Sequence, residues 1–79
     1  MNVTVKLHTT LKKFAPADCP GGTVPMTVAA GATARTVIEA LDIPESFVGA
    51  VFLGGTRVDP DAPLDEGVEV NLLAPIGGG

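Results

Sequence analysis

The sequence predicts an α+β domain in which one main helix packs on one face of a mixed sheet of four to five strands. Three segments alternate apolar and polar residues, as strands with one buried face do. One segment has the spacing of an amphipathic helix. With 79 residues, the chain has room for a single small domain. The predicted order of elements is β-β-α-β-β-β.

The first two predicted strands cover residues 2–8 and 23–28. Residues 2–8 place three apolar side chains on one face and polar side chains on the other. Residues 11–22 are interrupted by proline and glycine, and we interpret them as a long connection with a helical turn near its start. Pro25 lacks the N–H that a sheet ladder needs, so the second strand is predicted at an edge of the sheet.

The helix is predicted to begin after Thr33, whose hydroxyl suits an N-cap. It ends before Pro44, because the residue that precedes a proline disfavours helical geometry. Between these limits the apolar residues recur at helical spacing and form the face that packs on the sheet: Ala34, Val37, Ile38 and Leu41.

Three more strands are predicted after the helix. Residues 48–53 form an apolar run typical of a buried strand. The two glycines that follow this run suit a tight hairpin turn into residues 56–59. The last strand covers residues 68–73, which alternate again and place Leu73 on the outward face.

The composition excludes several classes of protein. The net charge of −4 and the pI of about 4.6 argue against the clustered cations that bind nucleic acid. No stretch reaches the ~20 apolar residues of a membrane span, and the first residues lack the pattern of a signal peptide. A single cysteine fits a reducing compartment. We expect a cytoplasmic protein, monomeric when free, that binds neither nucleic acid nor membranes.

Charge is distributed unevenly along the chain. Residues 1–40 carry a net charge of +2, whereas residues 41–79 carry −6. The acidic half is either a solvated face or a docking surface for a basic partner, and both interpretations stay open.

The residue types that enzymes use for catalysis are scarce. Cys19 follows Asp18, whose charge raises the pKa of a thiol rather than lowering it. His8 is the sole histidine and has no partner at metal-ligand spacing. Because the sequence offers no acid–base pair, no metal site and no cofactor-binding loop, we predict that the protein is not an enzyme on its own.

The C-terminal segment is the part of the sequence that points to chemistry. We expect residues 1–73 to form the domain and residues 74–79 a flexible tail that ends in Gly78 and Gly79. Six residues extend about 20 Å, and glycines fit a channel too narrow for a Cβ atom. Activation of the Gly79 carboxylate with ATP, as an acyl-adenylate, would let a thiolate or an amine attack it. The alternative is a frayed chain end without function.

Three parts of the sequence together resemble the ubiquitin-like sulfur-carrier family, which includes the small subunit of molybdopterin synthase and the thiamine-type sulfur carrier. They are Val-Phe-Leu-Gly-Gly at residues 51–55, Leu-Asp-Glu-Gly-Val-Glu-Val at 64–70 and Leu-Ala-Pro-Ile-Gly-Gly-Gly at 73–79. The resemblance implies a β-grasp fold with the first and last strands parallel at the sheet centre. The long connection at residues 11–22 favours the molybdopterin branch.

The same resemblance implies a role for the tail. An E1-like enzyme would adenylate Gly79, a persulfide donor would convert it to a thiocarboxylate, and the large subunit of a synthase would accept the sulfur. The chain itself would bind no cofactor, because the activating enzyme uses the ATP. Two alternatives stay open. One is a protein modifier that forms isopeptide bonds through Gly79, and the other is an interaction module with an idle tail.

Partners are predicted to bind the tail and the sheet face opposite the helix. Leu73 and Phe52 are the expected apolar contacts, with Glu69 and Asp65 at the rim. Phe52 has a second interpretation, which is ordinary core packing. In the tail, the predicted partner-binding residues are Pro75, Ile76, Gly77 and Gly78.

Overall fold

Five strands form one mixed sheet in the computed structural model, which describes residues 1–75. In chain order they are β1 (Asn2–Leu7), β2 (Thr23–Thr27), β3 (Ala50–Leu53), β4 (Thr56–Val58) and β5 (Glu69–Leu73). Across the sheet the order is β2-β1-β5-β3-β4. The central strands β1 and β5 are parallel, and every other neighbouring pair is antiparallel. The predicted α+β class, the edge position of β2 and the parallel central pair are therefore confirmed.

The main helix, α1 (Ala34–Ala40), is capped at both ends by the residues that flank it in sequence. Thr33 is the N-cap, and its side chain and that of Thr36 each accept a hydrogen bond from the other residue's backbone N–H. At the other end Asp42 adopts a left-handed backbone with φ 57°, and the Ile43 N–H donates to the Ile38 carbonyl at 3.1 Å. The helix thus ends before the chain reaches Pro44, through a left-handed cap rather than through the proline.

Two 3₁₀ segments lie outside the sheet, at Thr9–Phe14 and Glu45–Phe47. The first follows β1 and the second precedes β3. No helix within residues 1–75 is long and apolar enough to cross a membrane.

The core lies between α1 and one face of the sheet. Alternate residues of the central strands are buried there, and the helix contributes its predicted apolar stripe. The first 3₁₀ segment adds Leu11, which is fully buried. The most deeply buried large side chains are Leu7, Leu11, Leu72, Val5, Val37, Val51 and Val70.

The prediction of a buried strand at residues 48–53 is wrong in one respect. β3 begins at Ala50, and of its four residues only Val51 is buried. Phe52 and Ala50 point to the opposite face, which no second layer covers within residues 1–75. β3 is therefore a strand with one buried face, and Phe52 is half-buried rather than part of the core.

Arg35 connects the start of α1 to two neighbouring segments. Its guanidinium forms ion pairs with Glu45 and, at 2.7 Å, with Asp61. Its backbone N–H donates to the Pro60 carbonyl at 2.8 Å. The hydrogen bond from Arg35 lowers the pKa of Asp61, so both groups stay charged near neutral pH.

Candidate functional site

The end of β5 is held on both sides by its neighbours. On one side the His8 N–H, just after β1, donates to the Leu72 carbonyl at 3.2 Å. On the other side the Gly49 N–H, just before β3, donates to the Leu73 carbonyl at 2.7 Å. These two bonds fix the position at which the chain leaves the sheet, directly before Ala74.

Gly49 lies against the backbone of the residues that follow β5. A Cβ atom at Gly49 would lie 2.5 Å from the Cα of Pro75, 2.7 Å from its nitrogen and 3.0 Å from the carbonyl carbon of Ala74. All three atoms belong to the backbone, so no side-chain rotation could relieve the contact. Glycine is thus required at this position for Ala74 and Pro75 to lie where they do.

The sequence interpretation missed Gly49 because it was counted within an apolar strand. A signal was present, however, since an isolated glycine in a strand pattern often marks the close approach of another backbone. The position of the approaching segment, Ala74 and Pro75, could not be inferred from residues near Gly49. Two residues of the predicted tail are therefore in contact with the domain.

A groove of about 360 Å³ lies beside this contact. Phe52 and Leu73, the predicted apolar contacts, both line it and are both half-buried. Pro75 is exposed and also lines the groove. We call this feature the exit groove, and its lining residues are Gly49, Ala50, Phe52, Arg57, Leu73, Ala74 and Pro75.

The described lining of the exit groove is apolar apart from one basic side chain. Arg57 supplies its sole ionisable side chain, and the other lining residues are apolar or glycine. The described residues that line the groove therefore include no nucleophile with an adjacent base. Nor does any group of three His, Cys, Asp or Glu side chains within residues 1–75 form a metal-binding cluster.

A polar network occupies the same sheet face, next to the exit groove. Asn71 Nδ2 donates to Glu69 Oε1 at 3.0 Å, and Lys6 Nζ lies 3.2 Å from Glu69 Oε2. His8 Nε2 lies 2.9 Å from Asn71 Oδ1, and it is the donor in this hydrogen bond because that oxygen can only accept. The hydrogen bond from Asn71, followed by that from Lys6, lowers the pKa of Glu69.

The two acids predicted at the rim both lie toward the start of β5, Glu69 as its first residue and Asp65 in the turn before it. Glu69 belongs to the polar network, where Lys6 offsets its charge. Asp65 is exposed in the turn before β5, near the start of β1, and its carbonyl accepts from the Val68 N–H at 3.1 Å. The structure therefore groups Glu69 with the exit-groove face but places Asp65 away from the end of β5. A partner-binding role for either acid stays a prediction.

The remaining predicted residues differ in what the structure says of them. Ile76, Gly77, Gly78 and Gly79 lie outside the described residues. Cys19 is half-buried in the long connection, and partial burial, together with Asp18, raises the pKa of its thiol. A raised pKa favours the protonated thiol, which is a poor nucleophile.

Comparison with known proteins decides the family. A family model described as Mut7-C ubiquitin matches residues 1–75. The chain belongs to the Mut7-C ubiquitin family. The predicted resemblance to ubiquitin-like proteins is thereby confirmed. No match was found among curated protein sequences.

Two solved structures have the fold of this Mut7-C ubiquitin domain. SAMP1 from Haloferax volcanii superposes with a TM-score of 0.74 at 20% sequence identity, over 100% of both chains. A putative molybdopterin converting factor, subunit 1, from Pyrococcus furiosus gives a TM-score of 0.72 at 18% identity, over 96% of this chain and 99% of the other. At these identities the likeness establishes the β-grasp fold of ubiquitin-like proteins.

Proposed function

We propose that this protein is a sulfur carrier whose C-terminal Gly79 is adenylated and then converted to a thiocarboxylate. The observation that carries the proposal is the end of β5, where Gly49 fits against Ala74 and Pro75 beside an apolar groove. The contact positions Ala74 and Pro75, which directly precede residues 76–79, and three of these four residues are glycine. A partner can therefore dock on rigid structure while it takes up the glycines.

The proposed chemistry requires three outside reactants. First, a carboxylate oxygen of Gly79 attacks the α-phosphorus of ATP, which gives an acyl-adenylate and releases pyrophosphate. Next, the terminal sulfur of a persulfide attacks the carbonyl carbon, and AMP leaves. A second thiol then cleaves the resulting acyl disulfide, which yields a disulfide and the thiocarboxylate.

In this scheme the chain is a co-substrate rather than an enzyme. It supplies the carboxylate and the docking surface, while an E1-like enzyme binds the ATP. The carrier would act in the cytoplasm, as a monomer until it meets a partner, and would bind no cofactor of its own. The chemistry would thus take place on a tail outside the folded domain, in keeping with an exit groove that lacks a nucleophile and base.

The proposed acceptor is the large subunit of a molybdopterin synthase. The structural likeness to a putative molybdopterin converting factor, subunit 1, supports this branch over a thiamine-type carrier. Phe52 and Leu73 in the exit groove would pack against the activating enzyme and the acceptor in turn.

Mass spectrometry tests the proposal. The protein is incubated with ATP, a purified E1-like enzyme from the same genome and a persulfide donor. We expect one oxygen of the Gly79 carboxylate to be replaced by sulfur, and we expect deletion of Gly79 to abolish the product. Gly55→Ala is a matched control, since a Cβ atom there meets nothing within 4 Å.

Other outcomes would point to other functions. Covalent ladders on other proteins, without the sulfur product, would favour a modifier that forms isopeptide bonds through Gly79. If deletion of Gly79 changed no product, both tail functions would be excluded, and an interaction module with an idle tail would remain.

A further inference from the structure

A second surface lies at the same end of the sheet as the exit groove. Since β1 is parallel to β5, the 3₁₀ segment Thr9–Phe14 follows β1 at the end where β5 finishes. Since β3 is antiparallel to β5, the segment Glu45–Phe47 precedes β3 at that same end. The two segments therefore flank the end of β5 from either side.

An aromatic pair connects these two segments. The rings of Phe14 and Phe47 meet edge to face, with centroids 5.7 Å apart and an interplanar angle of 74°. Phe14 is partly buried and packs against the core. Phe47 is 40% exposed, and no other large hydrophobic side chain within residues 1–75 is exposed. The exposed part of the Phe47 ring leaves apolar surface that a partner could cover.

Two lysines make this surface cationic. Lys13 Nζ lies 5.5 Å from the ring centroid of Phe14 and 5.0 Å from that of Phe47, within cation–π range. Lys12 is exposed on the same segment. Within residues 1–75, neither Lys12 nor Lys13 forms an ion pair with a carboxylate. The ion pairs there involve Lys6 and Arg35 instead. We call Lys12, Lys13, Phe14 and Phe47 the basic–aromatic patch.

We propose that the basic–aromatic patch docks an acidic surface of the enzyme that adenylates Gly79. The inference rests on the proposed function and adds to it the charge of the partner. The patch is positive on a chain whose net charge is −4, so it selects a partner surface of negative charge by complementarity.

The position of the basic–aromatic patch also supports the adenylating enzyme as its partner. Phe47 is two residues before Gly49, so their Cα atoms are at most about 7 Å apart, and Gly49 is in contact with Pro75. An enzyme that grips the residues after Pro75 must therefore approach this end of the domain. Carboxylates on its surface would pair with Lys12 and Lys13, while its apolar atoms would cover Phe47.

The test measures ATP–pyrophosphate exchange by the purified adenylating enzyme at varied carrier concentration and low salt. For the double variant Lys12→Gln/Lys13→Gln we expect KM to rise about tenfold, because two exposed ion pairs are lost, with kcat nearly unchanged. For Phe47→Ala we expect a rise in KM as well. The wild-type KM should increase with salt much more than that of the lysine variant.

A matched control separates the patch from net charge. Ala29→Glu/Ala30→Glu changes the net charge by the same amount, on exposed residues at the opposite end of the sheet. Its KM should stay near that of the wild type. An unchanged KM for Phe47→Ala, or equal KM values for the lysine variant and this control, would overturn the inference and leave the carrier function intact. No exchange with the wild-type protein would overturn both.

Discussion

Gly49 and Pro75 lie so close that a single added methyl group would place its carbon 2.5 Å from the Pro75 Cα. The contact involves backbone on the Pro75 side, and the Gly49 N–H also donates to the neighbouring Leu73 carbonyl at 2.7 Å. Gly49 thus forms a hydrogen bond with the end of β5, and its lack of a side chain lets Ala74 and Pro75 pack against it. This dual role makes Gly49 a sharp test of the proposed site.

Gly49→Ala tests whether the close contact with Pro75 affects both the stability of the fold and recognition by the activating enzyme. To accept the Cβ atom, the segment at Ala74 and Pro75 must shift, which should cost about 1–3 kcal/mol of unfolding free energy. The substitution should also raise the KM for this protein in the pyrophosphate-exchange assay that tests the proposed function. Urea unfolding and the exchange assay measure the two effects, with Gly55→Ala as the neutral control. A variant that matched the wild type in both would show that the close contact is not required.

Truncation of two neighbouring residues of β3 should have different effects, mainly on stability at Val51 and mainly on partner binding at Phe52. Val51 is buried against the helix, so Val51→Ala should cost about 2 kcal/mol of unfolding free energy. Phe52 lines the exit groove, so Phe52→Ala should cost less stability but weaken binding to the activating enzyme. Thermal unfolding and calorimetric titration give the two quantities. Equal stability losses with unaltered binding would assign Phe52 to the core.

The pKa of Glu69 should depend on its two hydrogen-bond donors. Because Asn71 and then Lys6 lower this pKa, Asn71→Ala and Lys6→Met should each raise the midpoint of the Glu69 titration. Carboxyl chemical shifts followed by NMR from neutral to acidic pH report the midpoint. Lys12→Met is the control, since Lys12 makes no ion pair with Glu69. A midpoint that moved equally in the control would mean that net charge, not contact, sets the pKa.

The same pKa shift has a consequence for stability. A carboxyl whose folded pKa lies below its unfolded value stabilises the fold above the unfolded pKa, and this contribution is lost as the pH falls through the folded pKa. The stability difference between the wild type and Asn71→Ala should therefore narrow on acidification below about pH 4.3, the ordinary pKa of glutamate. Urea unfolding at a series of pH values would reveal it. A difference that stayed constant with pH would contradict the electrostatic explanation.

Substitutions at the two caps of α1 should change the unfolding free energy in opposite directions. Thr33→Ala removes the N-cap and should lower the unfolding free energy by about 1 kcal/mol. Asp42 has φ 57°, which glycine tolerates without strain, so Asp42→Gly should raise stability by about 0.5–1 kcal/mol. Thermal unfolding at fixed pH measures both. The explanation of the helix end would fail if Asp42→Gly were the less stable variant.

The sequence predicts much of this fold because alternation and caps are local signals. The alternation in residues 2–8 and the hydroxyl of Thr33 each identify an element without reference to the rest of the chain. The site is less predictable, because its defining contacts join distant segments. Gly49 meets Pro75, and Phe14 meets Phe47, through the pairing of strands rather than through sequence proximity. The sequence does not decide whether Phe52 belongs to the core or to the surface, because periodicity cannot reveal that one face of the sheet is uncovered.

The place of β5 in the sheet bears on how the protein is made. Within residues 1–75, β5 is the last strand in sequence, yet it lies at the sheet centre between β1 and β3. While the ribosome is still synthesising the chain, β1 and β3 have no strand between them, so the sheet cannot assemble before residue 73 has emerged. An enzyme that recognises the folded surface would then ignore nascent and truncated chains. For the proposed sulfur carrier, the topology would act as a check that only a completed domain is adenylated.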